Sequence, residues 1–424
     1  MRGHAPGDRE GCGPLIPPLS ETLRPLRQQV FERVRAAGLI PRVQVAKELG
    51  VSPASVTTIA AELIEAGLIE ETAVPREADA GRGRPAVALG VRAGARLAAG
   101  IKVSDGDLSA VVMDFAGNLL ADHHALRRPA PLSLPEMLDT VEGLLARVTA
   151  QAGLRRRDLA AVGIGLPGYV DCVGGRVFWS SILAERDVAL AAAVSARLGL
   201  PAHVDNEANL CAMAELWFGA GRGRSDFAVV TIEHGLGMGL VMNHRLYRGA
   251  AGVGMELAHT KVQLDGALCR CGQRGCLEAY VADYALAREA TTALNRLHRG
   301  GQTLPDSMPE LLESLYDQAK AGNQAARSIF RRAGRYLALG LANVVNLFDP
   351  PHIIIAGARM RFDYLYAPDT LAEMQTMALE TGRPLPPVEI NAWGEMLWAH
   401  GAAALALQAV TDGLLAPGRE MAAE

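Results

Sequence analysis

Residues 269–278 read CRCGQRGCLE, which places Cys269, Cys271 and Cys276 within eight positions of one another. The chain has 424 residues and only six cysteines, so half of its cysteines lie in this one stretch. In a chain without a secretion signal, a tight cysteine cluster indicates a metal site sooner than disulfide bonds. A reduced cluster without metal is the alternative.

The composition is that of a large globular chain. Hydrophobic residues make up 50% of the sequence, which permits sizeable buried cores, and the length favours two or three domains. No apolar run approaches the roughly 18 to 20 residues of a membrane helix. Residues 1–20 are rich in glycine and proline, lack the apolar stretch of a secretion signal, and predict a flexible tail. We therefore expect a cytoplasmic protein without a membrane partner.

Residues 21–90 carry the pattern of a winged helix-turn-helix domain. Apolar residues recur at helical spacing from Glu21, and the segment VQVAKELG ends on Gly50, a natural C-cap. Ser52 is suited to cap a further helix that begins at Pro53. The net charge of the chain is −4, but its first hundred residues are mildly basic, which weakly favours a nucleic-acid partner there.

The wing is predicted from two short strands in LIEAGLIEE (63–71) and GRGRPAVALGV (81–91), joined by a basic loop. Hydroxyl side chains on the outer face of the preceding helix and arginines on the loop suit bases and phosphates. A helical bundle packed against the rest of the chain is the alternative. The candidate DNA-binding residues are Ser52, Ser55, Thr57, Thr58, Arg82 and Arg84.

The remainder of the chain alternates strands, glycine turns and helices. LAAVGIGLPGYVD (159–171) reads as a buried strand that runs into a Gly/Pro loop, and FAVVTIEHGLGMGLVMNHRLYRG (227–249) as strand, glycine turn and strand. Two sheets of similar strand order, each covered by helices, fit this alternation.

Four segments in this part occur in the order and spacing of the ROK family. They are GIGLPGYVD (163–171), DNEAN (205–209), GLGMGLVMNHRLYRGAAGVGMELAH (235–259) and CRCGQRGCLEAY (269–280). That family comprises bacterial repressors, uncharacterised reading frames and sugar kinases. From about residue 25 to the C-terminus, the chain resembles its repressor branch, because a winged helix precedes the ROK motifs.

The resemblance implies a two-lobed α/β actin-like (ribonuclease-H-like) ROK domain over residues 91–424. The expected small lobe spans about 91–204 together with a C-terminal helix at 396–415, and the expected large lobe spans about 205–395. As cofactor it implies a structural zinc ion (Zn²⁺), with His259 as the fourth ligand beside the three clustered cysteines. Four nitrogen and sulfur ligands leave no open position for catalysis.

The resemblance also implies a sugar site. Carboxylates and amides around a sugar ring give directional recognition of its hydroxyls. The family's hydroxyl-binding residues correspond to Asn206, Glu207, Glu256, His259 and Glu278. The family usually has a further pocket-lining segment, where this chain has WSSILAERDVAL, with Ile182 at the usual asparagine and Glu185 near the usual aromatic residue.

The phosphate loops of ROK kinases are altered. Their D-x-G-G-T loop reads KVSDG here, with Lys102 at the aspartate position, and their G-T-G-I-G loop reads EHGLG, with Glu233 and His234 ahead of the glycines. Acidic side chains repel phosphates. Glu207 also replaces the kinases' aspartate base, and a displaced base is costly. We therefore expect no enzyme activity.

The leading hypothesis is a DNA-binding transcriptional regulator of carbohydrate metabolism, most simply a repressor, with a small carbohydrate as effector. Its DNA partner would be an operator with an inverted repeat, bound by a homodimer or homotetramer. The alternatives are an ATP-dependent sugar kinase with an appended DNA-binding domain, and a constitutive DNA-binding protein whose pocket has decayed.

Overall fold

The structure is a computed structural model. It describes residues 11–15, 24–73, 87–297, 307–357, 360, 362–363, 367–380, 382, 384–391, 394 and 396–416. The chain divides into two compact units. The first comprises residues 1–225, 241–253 and 395–424, and the second comprises 226–240 and 254–394. This division differs from the expected lobes, because residues 205–225 belong to the first unit. Of the helices that the described ranges contain, none has the length and apolar character needed to cross a membrane.

The N-terminal elements follow the order of a winged helix. Three helices and three short antiparallel strands are arranged as α1 (Leu26–Ala37), β1 (Leu39–Ile40), α2 (Arg42–Leu49), α3 (Pro53–Glu65), β2 (Ile69–Ala73) and β3 (Val87–Val91). β3 is the central strand of this sheet and pairs with both β1 and β2. Residues 74–86 between β2 and β3, which include the candidate DNA-binding residues Arg82 and Arg84, lie outside the described residues.

Local signals placed two of the three helices correctly. α2 ends at Gly50, whose φ of +65° is the left-handed conformation that glycine adopts without strain. Ser52 caps α3 by accepting a hydrogen bond from Ser55 N at 3.0 Å. The helix expected from Glu21 begins later, at Leu26, because Pro25 takes an extended conformation (ψ 145°) as the residue before the helix.

The expectation of a flexible tail over residues 1–20 is wrong for residues 11–15. We call Gly11–Leu15 the N-terminal strap. Cys12 is only 3% exposed, and its backbone N–H donates to Arg35 O at 3.0 Å. Gly13 N donates to Trp217 O at 3.0 Å. Two consecutive backbone groups thus hold the strap against two different helices.

The first unit contains a five-stranded sheet with the order β10-β7-β4-β5-β6. β4, β5 and β6 form an antiparallel meander, whereas β7 is parallel to β4 and β10 is parallel to β7. The bounds are β4 (Leu97–Val103), β5 (Asp107–Asp114), β6 (Leu119–Leu126), β7 (Ala161–Leu166) and β10 (Ala202–Asn206). A small hairpin, β8 (Tyr169–Asp171) and β9 (Arg176–Trp179), follows β7. The helices of this unit are α4 (Leu134–Gln151), α5 (Leu190–Leu198), α6 (Glu207–Phe218) and α12 (Leu397–Leu415).

The second sheet repeats the strand order of the first, as the sequence predicted. Its order is β13-β12-β11-β14-β15, with β14 parallel to both β11 and β15. The bounds are β11 (Phe227–Ile232), β12 (Leu236–Met242), β13 (Arg245–Tyr247), β14 (Ile353–Ala356) and β15 (Val388–Asn391). The helices of the second unit are α7 (Glu278–Val281), α8 (Asp283–Leu297), α9 (Met308–Lys320), α10 (Gln324–Phe348) and α11 (Pro368–Met377).

Glycines let α12 pack closely against its neighbours in the first unit. A Cβ at Gly100 on β4 or at Gly163 on β7 would lie about 2 Å from backbone oxygens of α12, at 2.0 and 1.9 Å respectively. A Cβ at Gly401 on α12 would lie 1.9 Å from Leu210 O on α6. Because no side chain fits at these positions, α12 is held between the sheet and α6 with little freedom to shift.

Candidate functional site

The four candidate metal ligands lie together in the second unit. The ligand atoms of His259, Cys269, Cys271 and Cys276 are all within 4.8 Å of one another. His259 Nδ1 is 3.7 Å from the Cys269 sulfur, and the sulfurs of Cys271 and Cys276 are also 3.7 Å apart. None of the three thiols is in a disulfide bond. The cluster can therefore hold a metal ion.

A tight turn folds the three cysteines onto one another. Gly272 N donates to Cys269 O at 3.0 Å, and both Gly272 and Gly275 have positive φ angles (+87° and +76°). At Gly275 a Cβ would lie 1.7 Å from a backbone oxygen, so only glycine fits there. An antiparallel bridge between Lys261 and Cys276 then brings the turn beside the segment that carries the histidine.

Two acidic side chains adjoin the cluster. Glu278 is the first residue of α7, and its Oε1 accepts from Tyr284 OH at 3.2 Å and from the Cys269 thiol at 3.5 Å. Glu256 Oε2 lies 4.0 Å from His259 Nε2. Burial, and secondly the charge of Glu278, raise the pKa of Glu256 to about 7. A pair of half-buried carboxylates next to an imidazole is well suited to accept hydrogen bonds from hydroxyl groups.

Asn206 and Glu207 stand at the start of α6 in the first unit. Asn206 caps this helix, because its Oδ1 accepts from Ala208 N at 2.8 Å, and its Nδ2 donates to Gly168 O at 2.6 Å. Glu207 is the half-buried first residue of α6. The predicted sugar-binding residues are therefore divided between the units, and those in the second unit are Glu256, His259 and Glu278.

An ion pair next to Asn206 was not predicted. Asp205 is fully buried and is bound by Arg248, with Nη2 at 2.6 Å and Nε at 2.8 Å. The other Asp205 oxygen accepts from the backbone N–H of Asn206 and the side chain of Asn209. Asp205 thereby orients the helix start that carries the candidate sugar residues. The DNEAN motif contains Asp205, but no local pattern in the sequence points to its distant arginine partner.

The stretch that matches the kinases' first phosphate loop is filled by internal contacts. Lys102 is fully buried, with its Nζ 3.5 Å from Asp107 Oδ2 and 3.7 Å from the centre of the Trp398 ring. Ser104 Oγ donates to Asp107 Oδ1 at 2.8 Å, and Ser181 Oγ donates to Asp105 Oδ2 at 3.1 Å. The residue predicted to replace the kinases' aspartate is thus a buried lysine, and the turn is closed by its own hydrogen bonds.

The stretch predicted to correspond to the kinases' second phosphate loop lies in the second unit and carries Glu233 and His234. Glu233 is 9% exposed and its backbone N–H donates to Gly235 O at 2.9 Å. His234 Nδ1 lies 3.1 Å from Asp283 Oδ2. A buried carboxylate within this glycine turn disfavours an approaching phosphate.

The departures at Ile182 and Glu185 have a structural explanation. The Ile182 side chain is fully buried in the core of the first unit. Glu185 accepts from Leu134 N at 3.1 Å, at the start of α4. Ile182 therefore packs in the core and offers no polar group in place of the family's usual asparagine.

The predicted DNA-facing residues of α3 are exposed or half-exposed, but several hydroxyls have local partners. Thr57 Oγ1 donates to Pro53 O at 2.8 Å, and Thr58 Oγ1 donates to Ala54 O at 3.2 Å. Ser52 Oγ is occupied by the helix cap. The opposite face is the buried one, with Val56, Ala60 and Leu63 in the core.

Comparisons with known proteins identify similar sequences and structures. A family model described as ROK family matches residues 98–409. The DNA-binding transcriptional dual regulator NagC of Escherichia coli strain K12 is 30% identical over 391 residues, covering 91% of this chain and 93% of that protein. A solved ROK family transcriptional regulator, a homologue of the Escherichia coli Mlc protein, has a TM-score of 0.76 at 28% identity and covers 92% of this chain and 97% of its own. A ROK family glucokinase from Streptomyces griseus, solved with glucose and AMPPNP, has a TM-score of 0.64 at 30% identity and covers 74% of this chain and 99% of its own.

Proposed function

This chain belongs to the ROK family, and from that premise we propose that it is a DNA-binding transcriptional repressor whose ROK domain binds a small carbohydrate effector and has no kinase activity. The observation that carries the proposal is the group of three helices and three antiparallel strands within residues 26–73 and 87–91, which has the element order of a winged helix and precedes the ROK domain. The two regulators cover 91% and 92% of the chain, whereas the glucokinase covers 74%. The DNA-binding domain would occupy residues 21–90 and the effector domain residues 91–424.

The metal held by His259, Cys269, Cys271 and Cys276 is proposed to be a structural zinc ion. Two sulfurs bound to the same tetrahedral zinc ion at the usual zinc–sulfur bond length are about 3.8 Å apart. The 3.7 Å separation of the Cys271 and Cys276 sulfurs fits this value. Thiolates and an imidazole are the donors that zinc prefers, and four of them close the site to catalysis. The ion would hold the histidine and Glu278 loops in place.

The effector is proposed to be a sugar or sugar derivative. The candidate residues for its hydroxyls are Glu256, His259 and Glu278 in the second unit, and Asn206 and Glu207 at the start of α6 in the first. The pairing of two carboxylates beside an imidazole supports this reading. The side-chain amide of Asn206 already hydrogen-bonds to the backbone of Ala208 and Gly168. Its contribution to sugar binding is therefore mainly to fix the start of α6.

The DNA contacts are proposed to come from the outer face of α3, through Ser55, Thr57 and Thr58, and from Arg82 and Arg84 on the loop after β2. Ser52 acts indirectly by capping α3. An even-numbered homo-oligomer would place two such helices on the half-sites of an inverted repeat.

A genomic-fragment pull-down tests the proposal. The purified chain is expected to retain fragments that share an inverted repeat at about 150 mM salt, where binding by charge alone is weak. Repeats near sugar-transport or catabolic genes would also nominate the effector. Retention of fragments with no common sequence would contradict specific regulation, and a truncated chain starting at residue 92 serves as the background control.

A sugar kinase with an appended DNA-binding domain is the second candidate, favoured by the intact carboxylate pair and the glucokinase similarity. With glucose, xylose or N-acetylglucosamine and ATP, we expect ADP release below about 1% of that of a ROK glucokinase assayed beside it. The reason is that Lys102 and Glu233 replace groups that position metal and phosphates. Sugar-dependent ADP release at the glucokinase rate would establish the kinase instead.

A further inference from the structure

Helix α6 begins at a candidate sugar residue and ends beside helix α1, within the first unit. It begins at Glu207, a candidate sugar residue, and ends at Phe218, next to Trp217. Every residue from Ala208 to Trp217 is buried. A helix of 12 residues is about 18 Å long. Since it is enclosed by close-packed neighbours, such a helix shifts as a rigid body sooner than it bends.

The start of α6 is fixed by a small number of polar groups. Asn206 provides the cap, and the buried Asp205–Arg248 pair holds the backbone just before it. A ligand that contacts Asn206 or Glu207 acts directly on this end of the helix. A change in the position of the first turn is then imposed on the remaining, buried turns.

The far end of α6 meets helix α1 of the DNA-binding domain through Trp217. The guanidinium of Arg35 stacks on the Trp217 ring, 4.3 Å from its centre, and Arg35 is only 2% exposed. Arg35 Nη1 also donates to Thr411 Oγ1 on α12 at 2.9 Å. Burial strengthens a cation–π contact of this kind, because water does not compete for the cation. Arg35 thus ties the C-terminal turn of α1 to the end of α6.

The N-terminal strap reinforces the same junction. Its consecutive residues Cys12 and Gly13 donate to Arg35 O on α1 and to Trp217 O on α6. A Cβ at Gly11 would lie 2.1 Å from Arg35 O, so the strap lies directly on the end of α1. A cavity of about 440 Å³ adjoins this junction, and its lining includes Arg35, Trp217 and Pro14 of the strap. The ends of the two helices are therefore linked through Arg35, Trp217 and the strap, together with Arg222, which donates to Ala36 O at 2.7 Å.

We propose that α6 couples the sugar site to the DNA-binding domain, with Trp217 and Arg35 as the positioning residues that transmit a shift of its first turn to α1. The proposal rests on the proposed function only for the identity of the ligands at the two ends. Coupling of this kind is reciprocal, so DNA bound to the winged helix would in turn bias the start of α6. The alternative is that the junction is passive packing.

Hydrogen exchange of the full chain, without DNA or sugar, tests the coupling. Asn206→Ala removes the α6 cap, which costs about 1 kcal/mol and corresponds to about fivefold faster exchange in the first turn. If α6 is coupled, amides of α1 (Leu26–Ala37) are expected to exchange at least about threefold faster as well. Asn206→Ser retains a capping oxygen and is expected to leave α1 within about twofold of the parent chain.

The decisive comparison is the same substitution in an Arg35→Met background, where α1 is expected not to respond to Asn206→Ala. The proposal would be overturned if Asn206→Ala speeds amide exchange in the first turn of α6 but leaves the exchange of α1 unchanged. An equal response in the Arg35→Met background would also overturn it. If Arg35→Met does not fold, Trp217→Phe takes its place. This variant is expected to reduce the response of α1 to Asn206→Ala. An undiminished response would overturn the proposal.

The outcome is independent of regulator function, because neither DNA nor effector is present. A failed pull-down would remove the regulatory meaning of the coupling but not the coupling itself. Failure of the exchange experiment would leave DNA binding and sugar binding intact as separate properties. The two proposals can therefore fail separately.

Discussion

Replacing Cys276 by serine is expected to lower the zinc content from about one ion per chain to below about 0.1, and to lower the unfolding midpoint by about 10 °C. Cys276 is fully buried, and its sulfur is 3.7 Å from that of Cys271. A metal present at about a thousand times its dissociation constant stabilises the folded state by about 4 kcal/mol. For a domain of this size, each kcal/mol of stability corresponds to roughly 2–4 °C in the unfolding midpoint, so losing the stabilisation by the metal accounts for the expected shift.

Elemental analysis and thermal unfolding of the purified variant check this result. Cys211→Ser is the matched control, because Cys211 is also fully buried but lies in α6, in the other unit. It is expected to keep one zinc per chain. Undiminished metal in Cys276→Ser, or a parent chain purified without metal at this cluster, would contradict the assignment. Because Glu278 contacts Cys269, the serine variant should also bind sugar more weakly.

Replacing Thr58 by glutamate is expected to weaken operator binding by about 100-fold, which corresponds to about 2.7 kcal/mol. Thr58 is exposed on α3 and donates only to a carbonyl one turn earlier, so the side chain can be exchanged without disturbing the core. A carboxylate there would face the DNA phosphates, and like charges juxtaposed in an interface cost several kcal/mol. Glutamate also favours a helix more than threonine does, so α3 should stay folded.

Binding of the fragments recovered in the pull-down, measured at about 150 mM salt, checks this prediction. Thr292→Glu is the matched control, since Thr292 is an exposed threonine of α8 that makes the same bond to a carbonyl one turn earlier. It adds the same charge in the second unit and is expected to change affinity by less than about twofold. Equal losses in both variants would indicate a general charge effect and would argue against α3 as the recognition helix.

Features encoded within a few residues could be read from the sequence. The end of α2 at Gly50 and the cap of α3 at Ser52 depend on local backbone chemistry and were predicted correctly. The three clustered cysteines were found for the same reason, because they are neighbours in the chain, whereas His259 was added by the resemblance to the ROK family. The repeated strand order of the two sheets followed from the alternation of strands, glycine turns and helices.

Contacts between residues far apart in sequence were decided only by the tertiary structure. The pairing of Lys102 with Trp398, of Asp205 with Arg248 and of Arg35 with Trp217 leaves no periodic or spacing signal. Each is set by how helices pack on a sheet, not by the local preference of either residue. The strap shows the same limit: its glycine-rich composition predicted flexibility, yet two backbone hydrogen bonds and the burial of Cys12 hold it in place. Local propensity governs where an element starts and stops, whereas burial against distant partners governs what its side chains do.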